Sequence, residues 1–101
     1  MNAIFDIQTN KWDEFQWAEL AKFLKYQYDD IEFIVLTSDK FIKHLDLYLK
    51  FNNIMKISRN IENKLENNVV FSDVENNGEI YVIGLTPAEI LEKVKCLKSQ
   101  E

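Results

Sequence analysis

Scarcity defines much of this chain. It holds one cysteine, one histidine, one proline and two glycines in 101 residues. The lone cysteine, Cys96, forms no intrachain disulfide. Together with the lone histidine, His44, it falls short of the roughly four Cys and His ligands that structural zinc needs. Two glycines, Gly78 and Gly84, supply no glycine-rich phosphate loop. One histidine and no strained nucleophile elbow give no Ser-His-Asp triad. Arg59 is the only arginine among twelve basic residues, against seventeen acids and a formal charge of −5. The lysines are scattered among acids, so the basic footprint that neutralises phosphates is missing and nucleic acid is not an expected partner. No apolar run approaches the ~18 residues of a membrane span, and the first residues lack a signal-peptide pattern. The expectation is a cytoplasmic protein with no membrane contact.

What is present is a core. Hydrophobic residues make up 47% of the chain and aromatics 13%, which suits one modest domain over residues 1–101. The pattern is clearest from Val69 to Leu97. Val69–Val74 and Glu79–Ile83 are rich in β-branched and aromatic residues. Between them, Asn77-Gly78 carries the strongest short hairpin signal, which predicts an antiparallel pair. Thr86-Pro87-Ala88-Glu89 reads as a capping box with proline at the first helical position. Ile90, Leu91, Val94 and Leu97 then recur at helical spacing, and Cys96 beside them reads as a small, half-buried apolar residue.

Upstream, Ala3–Ile7 reads as a strand. Thr9-Asn10 precedes a helical pattern from Lys11 to Tyr28, with Asp13 and Glu14 where a helix start favours negative charge. Trp17, Leu20, Ala21, Leu24 and Tyr28 form its stripe; Trp12, Phe15 and Phe23 widen it. Asp29-Asp30 breaks the helix. Ile31–Leu36 is apolar on both faces, as parallel central strands are. Thr37-Ser38-Asp39 caps a second helix from Lys40 to about Phe51, with Phe41, Ile42, Leu45, Tyr48 and Leu49 inward and His44 at the surface. Ile54–Ile57 is a short apolar segment, and Ser58–Asn68 is polar enough to be a loop or a single helical turn.

The resulting order, βαβ-α-ββα, resembles the thioredoxin-like fold. Gly78 matches that family's hairpin glycine and Gly84 the glycine before its last helix; His44–Ile57 is similar to its second helix and exit. The resemblance implies an α/β domain with a central mixed sheet of about four strands flanked by helices. It also implies that redox chemistry is missing. The family's Cys-x-x-Cys position is held by Thr9-Asn10-Lys11-Trp12-Asp13, and Glu66-Asn67-Asn68 stands where its cis-proline belongs.

A second resemblance is to the haloacid dehalogenase-type phosphatases. Asp6, Thr37, Lys56 and Asp73 look like worn versions of that family's nucleophile, hydroxyl, lysine and magnesium acid. Gln8 replaces its acid/base aspartate.

The leading expectation is therefore a non-catalytic protein-binding module of adaptor, inhibitor or immunity type, with no cofactor and no metal. Its expected partner is another protein, one with a basic surface. The expected contact residues are Trp12, Phe15, Trp17, Tyr26 and Tyr28, with Asp13, Glu14, Asp29 and Asp30 as a polar rim. The alternative is a minimal magnesium-dependent phosphatase using Asp6. Self-association into a homodimer, through the first helix or a hairpin edge, is a third expectation.

Overall fold

The computed structural model describes residues 1–51, 57–58, 68–76 and 78–99. Within them the chain runs β1 (Asn2–Asp6), α1 (Glu14–Gln27), β2 (Glu32–Leu36), α2 (Asp39–Phe51), β3 (Ile57–Ser58), β4 (Asn68–Ser72), β5 (Ile80–Tyr81) and α3 (Pro87–Ser99). The segments expected at 54–57 and 58–68 lie mostly outside the described residues, as does Lys56. Among the described residues, no helix is long and apolar enough to cross a membrane.

The strands form one sheet in the order β3-β2-β1-β4-β5. Four of them, β2, β1, β4 and β5, carry the body, and two-residue β3 extends the β2 edge. Every pairing is parallel. β1 is central, with Asp6 level with Leu36 on one side and Ser72 on the other. The buried runs of Ala3–Phe5 and Phe33–Val35 match the near-continuous apolar runs of strands inside a parallel sheet.

The sheet corrects one expectation. β4 and β5 are parallel neighbours, Phe71 opposite Ile80, not an antiparallel hairpin, so the sheet is not mixed. β4 ends at Ser72, well short of Asn77-Gly78, and the next residue, Asp73, is held by the loop after β1. The turn survives locally: Glu79 N–H reaches the Asn76 carbonyl, and Gly78 has φ of 82°.

Alternation along the strands selects the core. Ala3, Phe5, Phe33, Val35, Val69 and Phe71 face the helices and join Trp17, Leu20, Ala21 and Leu24 of α1, Leu45 and Leu49 of α2, and Ile90 and Val94 of α3. Ile4 and Ile34, out of phase with these, are buried outside that cluster. Phe5 is the centre of an aromatic group, with ring centroids 4.9 Å from Trp17, 5.4 Å from Phe33 and 5.7 Å from Phe71. α1 packs against both α2 and α3.

Helix starts are specified locally. α1 begins three residues beyond Asn10, at an Asp13 N-cap whose side chain accepts from Gln16 N–H at 2.9 Å, while Asp13 N–H donates to Gln16 Oε1 at 2.9 Å. Thr86 and Glu89 form the expected reciprocal cap on α3: Glu89 N–H donates to Thr86 Oγ1 at 3.3 Å and Thr86 N–H to Glu89 Oε1 at 3.2 Å. The α3 stripe holds at Ile90, Leu91 and Val94 and ends there, because Leu97 and Cys96 are exposed. Cys96 is thus not the half-buried residue its neighbours suggested.

Candidate functional site

Two assemblies of side chains border the first turns of α1. The first is the rim at the carboxyl ends of β1, β2 and β4. Connections run from β1 outward through β2 to β3, and from β4 outward to β5, so the sheet changes direction between β1 and β4. In parallel sheets the crevice at such a switch is where ligands sit. The register brings Asp6, Thr37 and Asp73 to this rim.

Asp73 is 1% exposed and fully engaged. Its Oδ1 accepts from the Gln8 N–H at 2.8 Å. Its Oδ2 accepts from the Thr9 N–H, the Thr9 hydroxyl and the Asn10 N–H, each at 2.9 Å. Burial pushes this carboxyl up, but the amides of Gln8, Thr9 and Asn10 and the Thr9 hydroxyl outweigh it, and the net shift is downward. Asn10, at φ of 55°, bends the loop so that its amides converge on the carboxylate. Asp6 accepts from Gln8 Nε2 at 2.8 Å.

This donor set does not fit magnesium. The cation needs carboxylate oxygens with lone pairs to offer, and those of Asp73 already receive four hydrogen bonds. Among the described residues, no three His, Cys, Asp or Glu side chains converge as a metal-binding group.

The second assembly lies between α1 and α2. Phe15 is 55% exposed, Leu47 66% and Tyr48 42%. Phe15 and Tyr48 meet edge to face, ring centroids 6.3 Å apart. Beside them, His44 Nδ1 lies 3.1 Å from Glu14 Oε1, joining the two helices. Glu14's own backbone amide and then the His44 ring hold its carboxyl below the usual range. A groove of about 570 Å³ runs along Glu14, His44, Leu47 and Tyr48.

The expected contact residues divide. Phe15, Asp13 and Glu14 come together at the start of α1, beside this groove. Tyr26, 88% exposed, half-buried Tyr28 and exposed Asp29 and Asp30 lie at its far end, about 17 Å along the axis. Trp12 and Trp17 are both buried. Their rings meet at 5.2 Å, and Trp17 packs on Phe5 beneath the helix, so neither is accessible surface. The sequence reading missed Leu47 and placed Tyr48 inward. Leu47 had a signal: it is a large apolar residue out of phase with the stripe of Phe41, Ile42, Leu45 and Leu49. Comparison with known proteins returns no family model, no curated protein and no solved structure that matches this chain.

Proposed function

We propose that this chain is a cytoplasmic protein-binding module of adaptor, inhibitor or immunity type, and that it docks its partner on the α1–α2 face. One observation carries the reading. Phe15, Leu47 and Tyr48 stand exposed as a contiguous patch on two helices whose inward stripes are already filled. Exposed aromatics beside a polar rim are the composition of interface anchors. The thioredoxin-like part of the reading rests on the βαβ start and on the cap and helix pattern after Gly84; the missing Cys-x-x-Cys and the parallel β4–β5 pairing weigh against it.

The test is affinity capture from the source lysate with the intact chain and with a Phe15→Ala/Leu47→Glu variant checked by circular dichroism. A stoichiometric partner lost by the folded variant is the expected result. A partner kept by that variant rejects the face. Light scattering across a concentration series should give a constant monomer mass; a rising mass would assign the face to a second copy.

The phosphatase alternative keeps one observation in its favour, the gathering of Asp6, Thr37 and Asp73 at the switch rim. The saturated Asp73 carboxylate counts against it. Magnesium-dependent hydrolysis of p-nitrophenyl phosphate, abolished by Asp6→Asn, would establish it. No turnover above buffer is the expected outcome.

A further inference from the structure

We infer that the α1–α2 groove takes a cationic segment of a partner protein, with a large apolar side chain set among Phe15, Leu47 and Tyr48 and an arginine or lysine set against Asp13 and Glu14. The inference rests on the binding reading above and adds the partner's chemistry to it. Two cavities meet here and share Glu14 and His44. One, of about 570 Å³, is walled by Leu47 and Tyr48. The other, of about 430 Å³, lies at the starts of both helices and is bordered by Asp13, Ser38 and Lys40. The site thus has an apolar end and a charged end, with the Glu14–His44 contact between them.

The charged end decides the sign. Among the described residues, Asp13 and Glu14 share this end with one lysine, Lys40, and with His44, which already contacts Glu14. Glu14 stays ionised, because its backbone amide and the His44 ring both favour its charged form. A partner carboxylate placed there would meet two like charges, whereas a guanidinium or ammonium would meet two opposite ones. The whole-chain charge of −5 steers the same class of partner at longer range. The apolar end argues for a protein segment over a small molecule. Small ligands bury about 70–90% of their surface in their sites, yet Phe15 and Leu47 are each more than half exposed.

The probe is a random peptide library displayed on phage and selected against the full-length protein. Enriched peptides should carry arginine or lysine within a few residues of tryptophan, phenylalanine or leucine. A synthetic copy of the best should lose about tenfold or more in affinity to Leu47→Glu, and about three- to tenfold to Asp13→Asn/Glu14→Gln, with a shallower salt dependence. Asparagine serves as an N-cap as well as aspartate, so that double variant keeps its helix start. Tyr26→Ala, at the far end of α1, should change nothing. Acidic peptides that depend on Leu47 would overturn this inference and leave the docking face standing. Peptides indifferent to Leu47→Glu and Phe15→Ala would overturn both. An unenriched library overturns the inference, as does a wild-type dimer that Leu47→Glu dissociates, since a second copy would then own the groove.

Discussion

The rim above β1 and β4 and the flank between α1 and α2 hold chemically interesting residues in opposite states. At the rim, a carboxylate that looks catalytic in the sequence is consumed by structure: all its hydrogen bonds go to the loop that a substrate would have to approach. On the flank, aromatic and aliphatic side chains that look like ordinary helix packing stand in the open. The difference teaches where to look for function in a chain without catalytic motifs. A polar group with every bond made is holding the fold, while an apolar group left over after the core is filled is available to something else.

The sharpest way to break this comparison is to cut on its structural side. Trp17 is fully buried against Phe5 and Trp12. Trp17→Ala should cost about 3–5 kcal/mol of stability by urea denaturation, a large share of the roughly 5–15 kcal/mol that holds a domain folded. Trp17→Phe should be far milder, because Trp17 Nε1 is buried without a hydrogen-bond partner and the replacement removes that unsatisfied donor. A mild Trp17→Ala would mean that the first helix is not packed as described, and the division between buried and exposed aromatics would fall with it.

Asp73 comes next. Asp73→Ala strands three backbone amides and a hydroxyl, and a loss of about 2–4 kcal/mol is expected. The pH dependence carries a sign that packing alone does not. Asp73 has a folded pKa below its unfolded value, which is about 3.9. Between those two values the unfolded chain binds more protons, so stability rises with pH there. The contribution is complete above the unfolded pKa and is lost as pH falls through the folded one. Urea midpoints measured from pH 7 down to pH 2 should show this acid loss in the wild type. Asp73→Asn should show a shallower one. Parallel curves would mean that the carboxylate is not the group that pins the loop.

How much of this was legible in the sequence follows the range of the interactions. The Thr86–Glu89 cap and the Ile90, Leu91 and Val94 stripe are local, and both stand as expected. Thr86→Ala should accordingly cost about 1 kcal/mol, a loss that thermal melts would resolve. The first βαβ passage and the helix after it were legible for the same reason: strand and helix periodicities suffice to find them. The β4–β5 pairing was not, because Asn-Gly speaks only for the turn and not for the direction of the strands on either side of it. On the flank the sequence reads Phe15 as a contact residue but Tyr48 as inward. Tyr48 lies at the margin of its stripe, where a shift of one side chain's angle about the helix separates core from surface.

The smallest expected stability effect carries the largest functional weight. Leu47 makes up most of the exposed apolar surface on α2, and Leu47→Glu should change stability by less than about 0.5 kcal/mol, since surface substitutions away from caps and networks usually do. Phe15→Ala should cost somewhat more, because it loses its edge contact with Tyr48. If both variants melt near the wild type yet fail to bind, the side chains are kept for a partner. If Leu47→Glu instead destabilises by 2 kcal/mol or more, a loss of the order seen for core truncations, then Leu47 is part of the core in solution. The contrast between a closed rim and an open flank would then collapse.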